Sequence, residues 1–224
     1  MQSASPRRIN DGDRRGDADC KVRVTLGVSN LIYYERNLPH RLPPGADIFL
    51  TFRLAGSLPA GVLAGLRAQF SRGEAGNAES TYARQRRYFG RFDDLLNGAG
   101  HGPTWLREPA VAEVVGAALR HFQGRAYQLV CYCLMPNHVH VVLSLPEDAP
   151  PLTKTLQQLK GYTALQANRL LGRTGTFWQP ESYDHIIRNS EEMQRVVAYV
   201  LNNPVKAALV ESWDQWPYTY WPEP

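Results

Sequence analysis

Residues 131–145, CYCLMPNHVHVVLSL, decide how the chain is to be read. Two apolar runs, 127–134 and 138–145, flank Met135-Pro136-Asn137. A short link of that kind, carrying proline and asparagine between two such runs, is the signal of a β-hairpin. Side chains alternate between the faces of a strand, so His138 and His140 share one face while Val139, Val141 and Leu143 take the other. Two imidazoles converging from a rigid strand supply half of a metal site. The chain has six histidines, so chance spacing is the competing account. Val139 and Val141 mark the opposite face as core, which predicts a histidine face open to a cleft or to solvent.

Working outward, residues 48–54, IFLTFRL, read as an earlier strand. Helical spacing follows at 59–70 and 80–96, joined by a Gly/Asn-rich loop at 73–77, and predicts a helical insertion over about residues 57–105. Arg84, Arg86, Arg87 and Arg91 make its second helix basic, which reads as a solvated face. Val111, Val114, Val115, Ala118 and Leu119 give the helix at 108–122 one side to bury. Pro150 and Pro151 precede a long helix at 152–171, closed by a glycine-bearing loop at 172–175, and a short strand is predicted at 182–187. The last helix starts near Asn189-Ser190, carries Glu191 and Glu192 in its first turn, and stops at Asn203 because of Pro204. A hairpin-containing antiparallel sheet with helices packed on it is an α+β arrangement of the ferredoxin-like type.

Residues 1–36 predict a disordered or extended leader, and 37–224 a single domain carrying the insertion. No apolar run approaches the roughly 20 residues of a spanning helix. With three cysteines, two of them inside the apolar hairpin, the chain suits a reducing compartment, and the expectation is a cytoplasmic protein without membrane contact. A net charge of +4 permits a polyanionic partner without demanding one.

The terminal helix carries further polar candidates. In MQRVVAYVLNNPVK the apolar stripe is Met193, Val196, Val197 and Val200; Tyr199 and Asn203, four apart, both fall on its edge, and Asn202 on the far side. An edge position lets a phenol and an amide reach a neighbouring strand without being buried. A packing tyrosine and a helix-terminal asparagine are the plain alternatives. Tyr183 and His185 in ESYDHIIR also alternate on a strand and compete for the same roles.

The series PNHVHVV, LKGYTALQANRLLGRTGTFWQ, ESYDHIIR, YVLNNPVKAALV and a closing WP resembles the HUH single-tyrosine transposases of bacteria, in particular the REP-associated tyrosine transposase branch. It runs from about residue 37 to the C-terminus. The resemblance implies a metal-dependent tyrosine transposase and DNA endonuclease, which cleaves single-stranded DNA at hairpin-forming repeats through a 5′-phosphotyrosine. Carried over, His138, His140 and Asn203 are metal ligands and Tyr199 is the nucleophile, with Asn203 standing where related insertion-sequence transposases usually have glutamine. Such a ligand set suits Mg²⁺ or Mn²⁺. Lys160, Arg173, Arg188 and Lys206, with Trp178 as a stacking surface, are candidates for gripping DNA. The alternative is a domesticated, non-catalytic protein that binds DNA hairpins on the same fold. Whether the active species is a monomer or a homodimer stays open.

Overall fold

The computed structural model describes residues 45–71, 81–98 and 102–222. The expected leader and the loop at 73–77 lie outside the described residues. Among those described, five strands form one antiparallel sheet in the order β4-β1-β3-β2-β5. They are β1 (Asp47–Leu54), β2 (Gln128–Leu134), β3 (His138–Ser144), β4 (Trp178–Ile187) and β5 (Thr219–Tyr220). The first four, with a helical crossover between β1 and β2 and another between β3 and β4, are the ferredoxin-like arrangement expected from the sequence.

The helices are α1 (Ala60–Ser71), α2 (Thr81–Asn97), α3 (Pro109–His121), α4 (Leu152–Leu170), α5 (Ser190–Leu201) and the single turn α6 (Asn203–Lys206). Helices α3 and α4 cover one face of the sheet, where Val111, Val115, Leu119, Leu156 and Leu159 meet Ile48, Leu50, Phe52, Val139, Val141 and Leu143. On the other, Leu66, Phe70, Phe89, Phe92 and Leu96 of α1 and α2, with Val197, Val200 and Leu201 of α5, meet Phe49, Cys131, Cys133 and Val142. Alternation along β2 gives Tyr132 and Leu134 to the first face and the two buried thiols to the second, and a register shift between Leu129 and Cys131 turns Leu129 to the first as well.

The elements depart from the sequence reading in three places. Strand β4 begins four residues early, at Trp178, because a shift between Phe52 and Leu54 carries pairing on to Leu54 opposite Trp178. It holds Pro180 because it is an edge strand, where a missing amide costs no ladder bond. Strand β5 gives no periodic signal at two residues. Helix α5 ends at Leu201, and Pro204 stands in the first turn of α6, where proline is tolerated, so Asn203 opens a new turn instead of closing the old one.

The excursion that carries α1 and α2 leaves the sheet at Gly56 and returns at Gly102, both with positive φ. A Cβ added to Gly102 would lie 2.2 Å from the Gly56 carbonyl oxygen and 2.8 Å from the Ser57 Cα. Gly102→Ala is therefore expected to cost about 1–3 kcal/mol. Thermal denaturation measures this, and an unchanged Tm would refute the close approach.

Candidate metal centre and nucleophile

The two-residue period of β3 brings the imidazoles together, with 2.9 Å between His138 Nε2 and His140 Nε2. Their other nitrogens are held. His138 Nδ1 donates to Asn137 Oδ1 at 2.6 Å, and the Asn137 amide in turn donates to the Leu96 carbonyl at 3.0 Å, fastening the hairpin turn to the end of α2. His140 Nδ1 meets Thr51 Oγ1 at 2.8 Å, its cross-strand neighbour on β1. These outer bonds aim both Nε2 atoms at one point, the arrangement that orients metal-binding histidines.

The expectation of a histidine face open to a cleft or solvent is corrected: both side chains are fully buried. The covering comes from α2 and α5, so β3 is buried on both faces. Sequence reading also passed over Asp93 of α2, which is fully buried as well. Its Oδ1 lies 3.0 Å from His140 Nε2 and 3.7 Å from His138 Nε2. The three residues offer ligand atoms that all lie within 4.8 Å of one another. A signal was present: Asp93 stands four residues after Phe89, in helical step with Phe92 and Leu96, as a carboxylate on an apolar face.

The Tyr199 hydroxyl donates to Asp93 Oδ2, which also accepts from Asn97 Nδ2 at 3.1 Å. Nucleophile candidate and histidine pair thus share one carboxylate within one chain. The Tyr199 ring, half-buried, sits edge-on to Phe49 with centroids 5.9 Å apart, and 5.7 Å from the His140 ring. Lys206 Nζ is 2.7 Å from Asp94 Oδ1, 3.7 Å from Asp93 Oδ2 and 5.7 Å from the centre of the Tyr199 ring. Asn203 is fully buried, and neither its Oδ1 nor its Nδ2 has a hydrogen-bond partner. The expected exposed edge is corrected here too, because α6 folds the asparagine inward. Asp93 Oδ1 has the two imidazoles as its polar neighbours, His140 Nε2 being the nearer at 3.0 Å.

The electrostatics follow from this burial. Desolvation first, and then the adjacent His140, push His138 down to about 3, so it is neutral at neutral pH. Burial pushes Asp93 upward, but His140, His138 and the Tyr199 hydroxyl outweigh it and hold the carboxyl well below the usual carboxylate range. Burial, then the Asp93 charge and the bond it accepts, raise the Tyr199 phenol far above its ordinary value, against a smaller opposing effect of Asn203.

A pH dependence of stability follows for the metal-free protein. Below the ordinary histidine value of 6.5, unfolded chains bind a proton at His138 that the native state refuses until about pH 3, and Asp93 acts in the same direction below the ordinary carboxylate value. Stability is expected to fall as pH drops from about 6.5 to 3, by several kcal/mol at about 1.4 kcal/mol per pH unit. Chemical denaturation in chelator across that range measures it, and a flat profile would contradict the buried, neutral His138.

Two imidazole nitrogens and a carboxylate oxygen, all buried and within 4.8 Å of one another, are a mixed N/O donor set, which fits a divalent cation that keeps positions open to water and phosphate. His138, His140 and Asp93 would hold it.

The candidates for gripping DNA are scattered. Lys160 Nζ donates to the Gln179 and Pro180 carbonyls and to Ser182 Oγ, pinning the start of β4 to α4, and burial lowers it to about 8. Arg173 stacks 3.9 Å over the Trp105 ring and bonds Asn168 and the Thr176 carbonyl, bracing the α4–β4 loop. Trp178 is corrected as a base-stacking surface: it is buried edge-on to Phe52 and Phe177, and its indole N–H donates to Thr163 Oγ1 at 2.8 Å. Arg188 is exposed just before α5, and Lys206 alone of the five lies at the cluster. Tyr183 stacks on Phe89 with centroids 4.1 Å apart, and His185 Nε2 pairs with Glu192 Oε1 at 2.9 Å.

A strand-borne histidine pair facing a helix-borne tyrosine on a ferredoxin-like sheet is the constellation that the resemblance to HUH single-tyrosine transposases led one to expect. Residues 106–203, which include both histidines, Tyr199 and Asn203, match the family described as IS200-like transposases. Among curated proteins, a putative REP-associated tyrosine transposase of Haemophilus influenzae is 28% identical over 102 residues, 42% of this chain and 58% of that protein. The REP-associated tyrosine transposase of Escherichia coli is 26% identical over 103 residues, 46% of this chain and 59% of the relative. The chain thus spans just under three-fifths of the length of these relatives, and the resemblance to REP-associated tyrosine transposases is borne out. A solved structure of such a transposase bound to a REP hairpin superposes with a TM-score of 0.49 at 18% identity, covering 81% of this chain and 79% of that one. Asp93 lies outside the matched segment. No helix among the described residues is long and apolar enough to cross a membrane.

Proposed function

We propose that the chain is a tyrosine transposase that cleaves and rejoins single-stranded DNA beside hairpin-forming repeats, with Tyr199 as nucleophile and His138, His140 and Asp93 holding Mg²⁺ or Mn²⁺. The observation that carries this reading is the Asp93 carboxylate, which accepts the Tyr199 hydroxyl on one oxygen and faces the histidine pair with the other.

A phosphodiester is negatively charged and repels nucleophiles, so positive charge at a non-bridging oxygen lowers the barrier; a divalent cation in this donor set supplies that charge. The remaining work falls to the chain. Tyr199 Oη forms a bond to phosphorus, the P–O3′ bond breaks, and the departing 3′ oxygen takes up a proton, leaving a 5′-phosphotyrosine and a free 3′-OH. Rejoining is the reverse attack by a 3′-OH. For attack Tyr199 must lose the proton that burial and the Asp93 charge now hold on it. Neutralising that charge favours the phenolate. Asn203 sits buried beside the phenol as a further polar ligand, directly or through water.

The test is incubation with single-stranded DNA carrying an imperfect palindromic stem-loop and Mn²⁺. A protein–DNA band that survives denaturation is expected. Hairpin binding that never yields such a band would instead establish the non-catalytic alternative.

A further inference from the structure

A cavity of about 280 Å³ opens beside Tyr199, between the middle of α2, the second half of β4 and the length of α5. This is near the small end of ligand pockets, roughly 300 Å³. Its floor is aromatic. Phe89 and Tyr183 stack at 4.1 Å with planes 23° apart, Phe49 stands edge-on to Phe89 at 5.4 Å, and the Tyr199 ring forms part of the wall. Exposed Arg86 and Arg195 stand at the rim, while the buried Glu192 and its partner His185 give one wall hydrogen-bonding capacity.

Gly90 lines the same cavity in the middle of α2, where glycine costs about 0.5–1 kcal/mol relative to alanine. A Cβ there would meet nothing within 4 Å, so no neighbouring atom demands the missing side chain. What its absence preserves is the open space beside the nucleophile. Tyrosine rings open to the cavity, Tyr183 backed by Phe89 and Tyr199 backed by Phe49, with guanidinium groups at the rim, are a combination that holds an unstacked base and its phosphates.

We infer that this cavity receives the nucleobase of the nucleotide adjoining the scissile phosphate, seating the phosphodiester at Tyr199 and reading that one base. The inference rests on the proposed cleavage chemistry and goes beyond it in naming a specificity pocket. The pocket acts through positioning. A base held against Tyr183 fixes the phosphorus against the phenol, so an empty or filled pocket slows attack without removing the nucleophile.

The experiment uses a pool of single-stranded DNA with a fixed stem-loop and randomised flanks. It is incubated with the full chain and Mn²⁺, and the DNA attached to the tyrosine is sequenced. Wild type is expected to show a base bias at one nucleotide adjoining the phosphotyrosine. Gly90→Leu, which fills the cavity, should lower adduct yield roughly tenfold or more and erase that bias, with stem-loop binding by gel shift reporting that the variant is folded. Independently of any variant, an abasic site at that nucleotide should cost the wild type a similar factor. Adducts formed by Gly90→Leu with unchanged yield and flank composition, or an abasic site that costs nothing, would overturn the pocket and leave the cleavage reading standing. Absence of any wild-type adduct would sink the cleavage reading and the pocket with it.

Discussion

Tyr199→Phe is expected to abolish the denaturation-resistant protein–DNA adduct while leaving stem-loop binding essentially unchanged. The substitution removes one oxygen and keeps the ring, so its edge-on contacts with Phe49 and Phe89 survive. It also removes a hydrogen bond from a buried carboxylate, and the fold should lose about 1–3 kcal/mol at most, because Asn97 still donates to Asp93 Oδ2 and Lys206 remains nearby. A covalent mechanism has no substitute for the missing hydroxyl, so the loss in adduct should be total on a denaturing gel. Tyr183 is the internal control. It sits across from Thr51 on β4, in the same cross-strand row as His140, so an adduct persisting in Tyr199→Phe and vanishing in Tyr183→Phe would transfer the role to it.

The second large effect is at Asp93. Asp93→Asn keeps the shape of the side chain and removes its charge, and Mn²⁺ affinity is expected to fall by roughly 10–100-fold or more. A cation that binds only the native state raises Tm in proportion to the logarithm of its concentration over Kd, so a thermal-shift titration with Mn²⁺ reads the change directly. The upward shift should move to higher Mn²⁺ in Asp93→Asn and disappear in a variant that also carries His138→Ala. If Mn²⁺ stabilises Asp93→Asn at the same concentrations as wild type, Asp93 is a hydrogen-bond hub for Tyr199 and the centre has only two protein ligands from this set.

The parts of this site that were legible in the sequence obey short periods. The spacing of His138 and His140 fixes their common face on any strand, and the spacing of Tyr199 and Asn203 puts them on one side of the helical region. The hairpin and the crossover helices were legible for the same reason, since each is an apolar pattern contained within its own segment. The partners of Asp93 and Thr51 were not, because they exist only after segments distant in the chain meet: a carboxylate on the apolar face of α2 flags itself but not the histidines 45 residues on, and Thr51 is 89 before His140. The burial of the histidines was misread for a related reason. Alternation in β3 reports which face is apolar within that strand, and nothing in it announces that Phe89, Phe92 and Leu96 of α2 will roof the other. The arginines of α2 drew the reading toward a solvated helix; Arg86, Arg87 and Arg91 are indeed exposed, while the opposite side of the same helix delivers the carboxylate.

The contact between Gly56 and Gly102 bears on how this carboxylate is supplied. Departure and return points that touch make the intervening arm a detour closed at its own base, so lengthening or shortening it changes loop entropy by little and leaves strand register alone. The sheet brings the histidines and the terminal helix brings the tyrosine, whereas the acidic member arrives on an arm that leaves and rejoins the frame at one point. Ferredoxin-like frames with such a base can therefore gain, lose or restyle an acidic ligand without rethreading a single strand.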